Sequence, residues 1–158
     1  MRITDFLTTK TVSADLASKT KPQVIEELVG ILIKAKLIQT KDKKKVLEVL
    51  MAREALGSTA IGQGIAIPHG KCNSVKKLIA CLGISKEGIN FESLDGEPAY
   101  IFFLLLAPVD SAGPHLTVLA RVSRLLKDKF IRDGLRLVKD EKSIIKIIQQ
   151  EDGRLPKM

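Results

Sequence analysis

Tryptophan is missing from this 158-residue chain, tyrosine occurs once, and histidine and cysteine occur twice each. Aromatic residues make up 4% of the sequence. A surface that binds single-stranded nucleic acid stacks bases on interleaved aromatic rings, so this scarcity argues against that class even though the formal net charge is +8. The positive charge is also dispersed: the densest run, residues 41–45, is interrupted by Asp42. Solvated helix faces account for it, and nucleic acid is not expected as a partner. Cys72 and Cys81 stand nine positions apart, a spacing that fits neither a metal-ligand pattern nor a CxxC redox motif. Two buried free thiols are expected, each packing as a small hydrophobe, in a reducing compartment. No stretch approaches the roughly 20 apolar residues of a membrane span, and the opening "MRITDFLTTK" lacks the apolar segment of a secretory signal. The expected location is the cytoplasm, without membrane insertion.

What is present is the material of a packed core. Hydrophobic residues make up 45% and charged residues 28% of the chain, an ordinary globular profile. One domain over residues 1–150 is expected, followed by a polar tail over 151–158. Val24, Ile25, Leu28, Val29, Ile31 and Leu32 recur at helical spacing, which predicts a helix over 22–38 with Pro22 in its first turn. A second helix is predicted over 42–56 on Val46, Leu47, Val49 and Leu50, ended by Gly57. Arg53 and Glu54 then fall in its last turn. The small-residue loop "GSTAIGQG" leads to "IAIP", a short strand that the proline must end or place at an edge. Two apolar runs, "LIACLGI" (78–84) and "YIFFLLLA" (100–107), read as buried strands, with another short strand predicted at 89–92. Leu116, Leu119, Val122, Leu125 and Leu126 give helical spacing after a Gly-Pro start that puts His115 in a first turn. A last helix is predicted over 141–150. The sum is an α/β fold: a single domain with a small mixed sheet flanked by helices.

Several short patterns fail on inspection. "GQGIAI" offers Ile67 where a dinucleotide fingerprint needs its third glycine, and "GIAIPHGK" has five residues between its glycines where a P-loop has four. Two histidines far apart with no clear third ligand make a poor zinc site. No cofactor and no metal are expected.

His69 remains. On its residue type alone it is either a structural histidine hydrogen-bonded at a strand end or a reactive group on a rigid scaffold, with Gly70 allowing close approach. Imidazole, with an ordinary pKa of about 6.5, offers a neutral nucleophilic nitrogen near neutral pH and can attack phosphorus. Phosphoryl transfer asks chiefly for in-line positioning and for groups that stabilise charge on the equatorial oxygens. Arg53, with its planar fork, and His115, near a helix N-terminus, are candidates; so, with less support, are Lys71 and the hydroxyls of Ser58 and Thr59. Each also has a plain alternative: Arg53 as a helix C-terminal cation, His115 as a cap, and the other three as surface or turn residues.

The segment "REALGSTAIGQGIAIPHGK", residues 53–71, resembles the signature of the mannitol/fructose-type (type 2) EIIA domains of the bacterial phosphotransferase system, most of all the nitrogen-regulatory branch. The similarity continues through "DFLTTKTVSADLASKTKPQVIEELVGIL", "GINFESLDGEP" and "LLLAPVDSAGPHLTVLARVSRLLKD" to the final helix. It implies a mixed sheet flanked by helices and a phosphoryl group accepted on His69 from an HPr-type histidine phosphocarrier, with Arg53 and His115 supporting the transfer. It implies a regulatory protein whose phosphorylation state selects its targets. The alternatives are a stand-alone sugar-specific IIA component that passes phosphate to a IIB domain, or a basic binding module that has left the relay. Members of the family are often acidic; at +8, either the docking surface for the phosphocarrier differs in charge or the partner has changed to match.

Overall fold

A computed structural model describes residues 2–154. In chain order its elements are β1 (Val12–Ser13), α1 (Lys21–Lys34), α2 (Lys43–Ala55), β2 (Ala60–Gly62), β3 (Ile65–Ala66), β4 (His69–Lys71), β5 (Ile79–Ile89), β6 (Ala99–Ala107), α3 (Ala112–Leu126), α4 (Lys129–Arg136) and α5 (Glu141–Asp152), with 3-10 turns at Ile3–Asp5 and Thr40–Asp42. The two apolar runs form the spine: β5 and β6 pair antiparallel from Ile79↔Leu106 to Ile84↔Ile101, and resume at Ile89↔Ala99 after an irregularity. Strand β1 pairs parallel with β5, and β3 and β4 pair parallel with the other side of β6. Strand β2 closes that edge antiparallel to β3. The six-stranded sheet is therefore mixed, in the order β1-β5-β6-β3-β2 with β4 also beside β6.

The continuous apolar run of β6 is explained by burial on both faces. Ile101, Phe103 and Leu105 join a cluster with Val122, Leu126, Leu135 and Ile148 from α3, α4 and α5. Phe102, Leu104 and Leu106 alternate with them and pack against Val24, Leu28, Leu32, Val46 and Leu50 from α1 and α2. Because side chains on a strand alternate between faces, one run feeds two cores, and the helices form a layer on each side. Both cysteines are free and buried; burial pushes the Cys81 thiol far above its ordinary range.

Three local expectations needed revision, and one helix, α4, was not foreseen. The first helix stops at Lys34, because Leu37 N–H bonds back to the Leu32 carbonyl at 3.0 Å and Lys36 turns through φ +64°. The strand expected at 89–92 is the tip of β5. Beyond Ile89, the side chains of Asn90 and Asp95 accept from the amides of Glu92 and Glu97 and hold a loop. Helix α4 has only two buried residues, Ile131 and Leu135, too few for a periodic signal, and starts where Asp128 caps the Phe130 amide. Helix α5 continues through Glu151 and Asp152, residues expected in the tail. Asp152 is held by a buried ion pair with Arg121 at 2.5 Å and accepts from the Ile3 amide at 2.7 Å. Residues 155–158 of the expected tail lie outside the described residues.

Candidate active site

Strands β3 and β4 are one chain segment running along β6, interrupted at Ile67 and Pro68. The proline has no N–H to give to a ladder, but its carbonyl still accepts from Leu105 N–H at 2.9 Å, so pairing resumes one residue later at His69↔Leu105. The expectation that the proline ends the strand is thus half right: it breaks the strand and the register survives. That register decides where the site lies. His69 shares the face of its partner Leu105, the side of α3, whereas Gly70, paired with Leu106, faces α2. A Cβ on Gly70 would come within 2.8 Å of Val49 Cγ1, so the missing side chain lets α2 lie directly on β4.

The His69 ring is half-buried, and its Nδ1 sits 2.8 Å from the Ile67 carbonyl oxygen. A carbonyl only accepts, so in the neutral ring Nδ1 carries the proton and Nε2 carries the lone pair. Facing it, 5.5 Å between ring centroids and tilted by 51°, is His115. His115 stands in the first turn of α3, only 5% exposed, and its Nε2 has no hydrogen-bond partner among the described residues. Burial holds its pKa below the ordinary histidine value, and positive charge on His69 and Lys71 adds to the effect. Lys71, two residues beyond His69 on the same face of β4, is exposed.

Arg53 comes from the other side of the sheet edge, in the last turn of α2 and one turn beyond Val49. Its Nη1 donates to the Gly57 carbonyl at 2.8 Å and not to His69. Ser58 Oγ donates to the Phe91 carbonyl at 2.6 Å and accepts from Ala60 N–H. Thr59 is buried, and its hydroxyl and amide both donate to the Glu54 carboxylate, at 2.5 and 3.0 Å. The structure therefore brings His69, His115 and Lys71 to one place. It gathers Arg53, in the last turn of α2, with Ser58 and Thr59 of the loop that follows.

Two residues that matter here escaped sequence reasoning. Glu54 is 6% exposed and forms an ion pair with the buried Lys21 at 3.0 Å, while the Lys21 ammonium lies 4.6 Å from the centre of the Phe91 ring. Their network pins the start of α1, the end of α2 and the Arg53 loop together. A signal existed: Glu54 continues the Val46, Leu50 stripe at a spacing of four, and a carboxylate on an apolar stripe must find a partner.

The sequence profile of the phosphoenolpyruvate-dependent sugar phosphotransferase system, EIIA 2, matches residues 5–151. The chain belongs to this family. Among its EIIA 2 relatives, a nitrogen regulatory protein of Bradyrhizobium diazoefficiens is 38% identical over 94% of this chain and 95% of its own length. The fructose-specific EIIABC component of Bacillus subtilis is 41% identical over 96% of this chain, which spans only 24% of that longer protein. Among solved structures, the nitrogen regulatory protein IIA-Ntr of Neisseria meningitidis superposes with a TM-score of 0.84 at 32% identity, over 92% of this chain and 98% of its own. IIA mannitol of Escherichia coli shares the fold, with a TM-score of 0.76 at 19% identity over 90% and 98% of the two chains. As a type 2 EIIA domain the protein is a component of the phosphotransferase system, and no helix among its described residues is long and apolar enough to cross a membrane.

Proposed function

We propose that this EIIA 2 domain is a phosphohistidine carrier with a regulatory role, and that His69 Nε2 is the acceptor atom. The observation that carries the reading is the 2.8 Å contact from His69 Nδ1 to the Ile67 carbonyl. It selects the tautomer whose outward nitrogen is unprotonated and holds the ring in place at a half-exposed strand end. In the transfer, the Nε2 lone pair bonds to phosphorus in line with the departing nitrogen of a phosphohistidine donor. The donor's N–P bond breaks, its electron pair returns to the donor ring, and the three phosphoryl oxygens travel unchanged. No proton has to leave His69, because Nδ1–H stays on Ile67.

The new group adds a charge of about −1.5 to −2. His115, kept neutral by its surroundings, has an N–H to offer to a phosphoryl oxygen, and a ring nitrogen without a partner at present is the feature that supports this role. Lys71 adds a cation on the same face. Arg53 uses one N–H on Gly57 and has others without partners among the described residues, which suits it to the oxygens once the donor arrives. Ser58 and Thr59 serve in this reading as the frame of the Arg53 loop, since their hydroxyl protons are committed to Phe91 and Glu54.

The donor in this reading is an HPr-type histidine phosphocarrier. The downstream partner is a protein selected by the charge change, as the similarity to nitrogen regulatory proteins supports. A second reading, delivery of phosphate to a IIB domain, is favoured by the fructose-specific relative and by a mannitol IIA of this fold that was solved with phosphorylated IIB. Incubation with the general phosphotransferase proteins and radiolabelled phosphoenolpyruvate tests the carrier reading. Wild type is expected to be labelled, His69→Ala not at all, and Arg53→Ala about a hundredfold more slowly while the domain stays folded. Equal labelling of His69→Ala defeats the assignment. Discharge of the label by an added fructose-type IIB domain selects the second reading, and retention selects the regulatory one.

A further inference from the structure

Away from His69, a groove of about 730 Å³ opens where the end of α1, the start of α2 and the loop after β4 meet. Five exposed lysines line it, Lys36, Lys41, Lys45, Lys76 and Lys77, against one acidic residue, Asp42. None of the five takes part in an ion pair among the described residues. They come from three separate segments, so helix periodicity does not explain their convergence. One further observation points the same way. Lys36 occupies the turn after α1 at φ +64°, a position that glycine fills at no steric cost. A lysine there costs stability and gives the groove a cation.

We infer that this groove binds a short chain of phosphates, either a free polyphosphate or the triphosphate of a nucleoside. The volume lies in the range of small-molecule sites, about 300–1,000 Å³, and the surface is concave, whereas a nucleic-acid duplex needs cations along an extended face. No aromatic residue lines the groove, so bases gain no stacking and the phosphates supply the attraction. Lysines, as mobile point charges with three donors each, suit a flexible anion without the fixed fork geometry of arginine.

The site is independent of the phosphohistidine reading and is tested apart from it. Calorimetric titration of the full chain with inorganic tripolyphosphate, without divalent ions, is expected to give saturable one-to-one binding, equal in wild type and His69→Ala. The triple variant Lys36→Gln/Lys76→Gln/Lys77→Gln is expected to bind about tenfold more weakly. A charge-matched variant on distant surface, Lys127→Gln/Lys142→Gln/Lys146→Gln, should stay within about twofold. Titration with a nucleoside triphosphate separates the sources: tighter binding than tripolyphosphate means that the base and sugar are recognised, equal binding that only the phosphates are. Equal weakening in both triple variants would reduce the effect to net charge and overturn the site. So would binding of a DNA duplex that tripolyphosphate fails to displace.

Discussion

Two imidazoles at 5.5 Å cannot share a pocket without affecting each other's charge, and the buried member of the pair gives way. His115 resists protonation in the fold because burial removes the water that would solvate its cation, with His69 and Lys71 adding repulsion. The unfolded chain titrates near the ordinary value of about 6.5. Below that pH the unfolded state binds a proton that the native state refuses. The His115 contribution to stability is therefore intact above about pH 6.5 and declines as the pH falls through it. Urea unfolding at pH 7.5 and 5.5 should show a larger loss for wild type than for His115→Gln, by at most about 1.4 kcal/mol per pH unit across the window. An identical pH slope in the variant would mean that His115 titrates as freely in the fold as outside it. His115 was legible in the sequence as a first-turn residue; its contact with His69, from far along the chain, was not.

At the scale of elements, the site depends on a broken strand and on one helix lying close to it. Pro68 removes one donor and leaves an acceptor, so the segment from Ile65 to Lys71 keeps its place beside β6 while exposing His69 at the gap. Gly70 lets α2 approach: the Cβ of an alanine would meet Val49 Cγ1 at 2.8 Å, and Val49 is β-branched with little rotamer freedom. Gly70→Ala is expected to destabilise the domain by about 1–3 kcal/mol and to slow phosphate labelling, because the displaced helix carries Arg53. Adding Val49→Ala should recover part of both losses in denaturation and labelling assays. Full activity and stability in the single variant would show that α2 need not sit so close. The motif "IAIPHG" revealed the strand and its proline break. It could not reveal that pairing resumes after the proline, because that depends on the carbonyls and amides of β6.

The whole molecule is closed by an ion pair that joins distant parts of the chain. Asp152 accepts from Arg121 on α3 and from the amide of Ile3, all three residues being buried. Removing the Asp152 carboxylate takes a buried counter-charge from Arg121 and leaves the buried Ile3 amide without its acceptor. Asp152→Ala is expected to cost about 3–5 kcal/mol in chemical denaturation, while the joint change Arg121→Met/Asp152→Leu should cost much less. A loss under about 1 kcal/mol in the single variant would mean that the Asp152 carboxylate contributes little to holding this end of the molecule. Sequence reading left residues 151–152 in a tail, because a lone aspartate near a polar end has no local signature of burial; its partners lie 31 and 149 positions away.

Composition, the two apolar runs and the helical periods were enough to determine an α/β domain with a mixed sheet, and the long segment from Arg53 to Lys71 was enough to indicate the family. These are properties of neighbours along the chain, where spacing alone separates a helix from a strand. Tertiary structure decided which face of the sheet each residue takes, that His69 meets His115, that Glu54 is matched by Lys21, and that lysines from three segments share one groove. Each of those depends on the register of β4 on β6 or on how helices pack, which is fixed by contacts between residues remote in sequence.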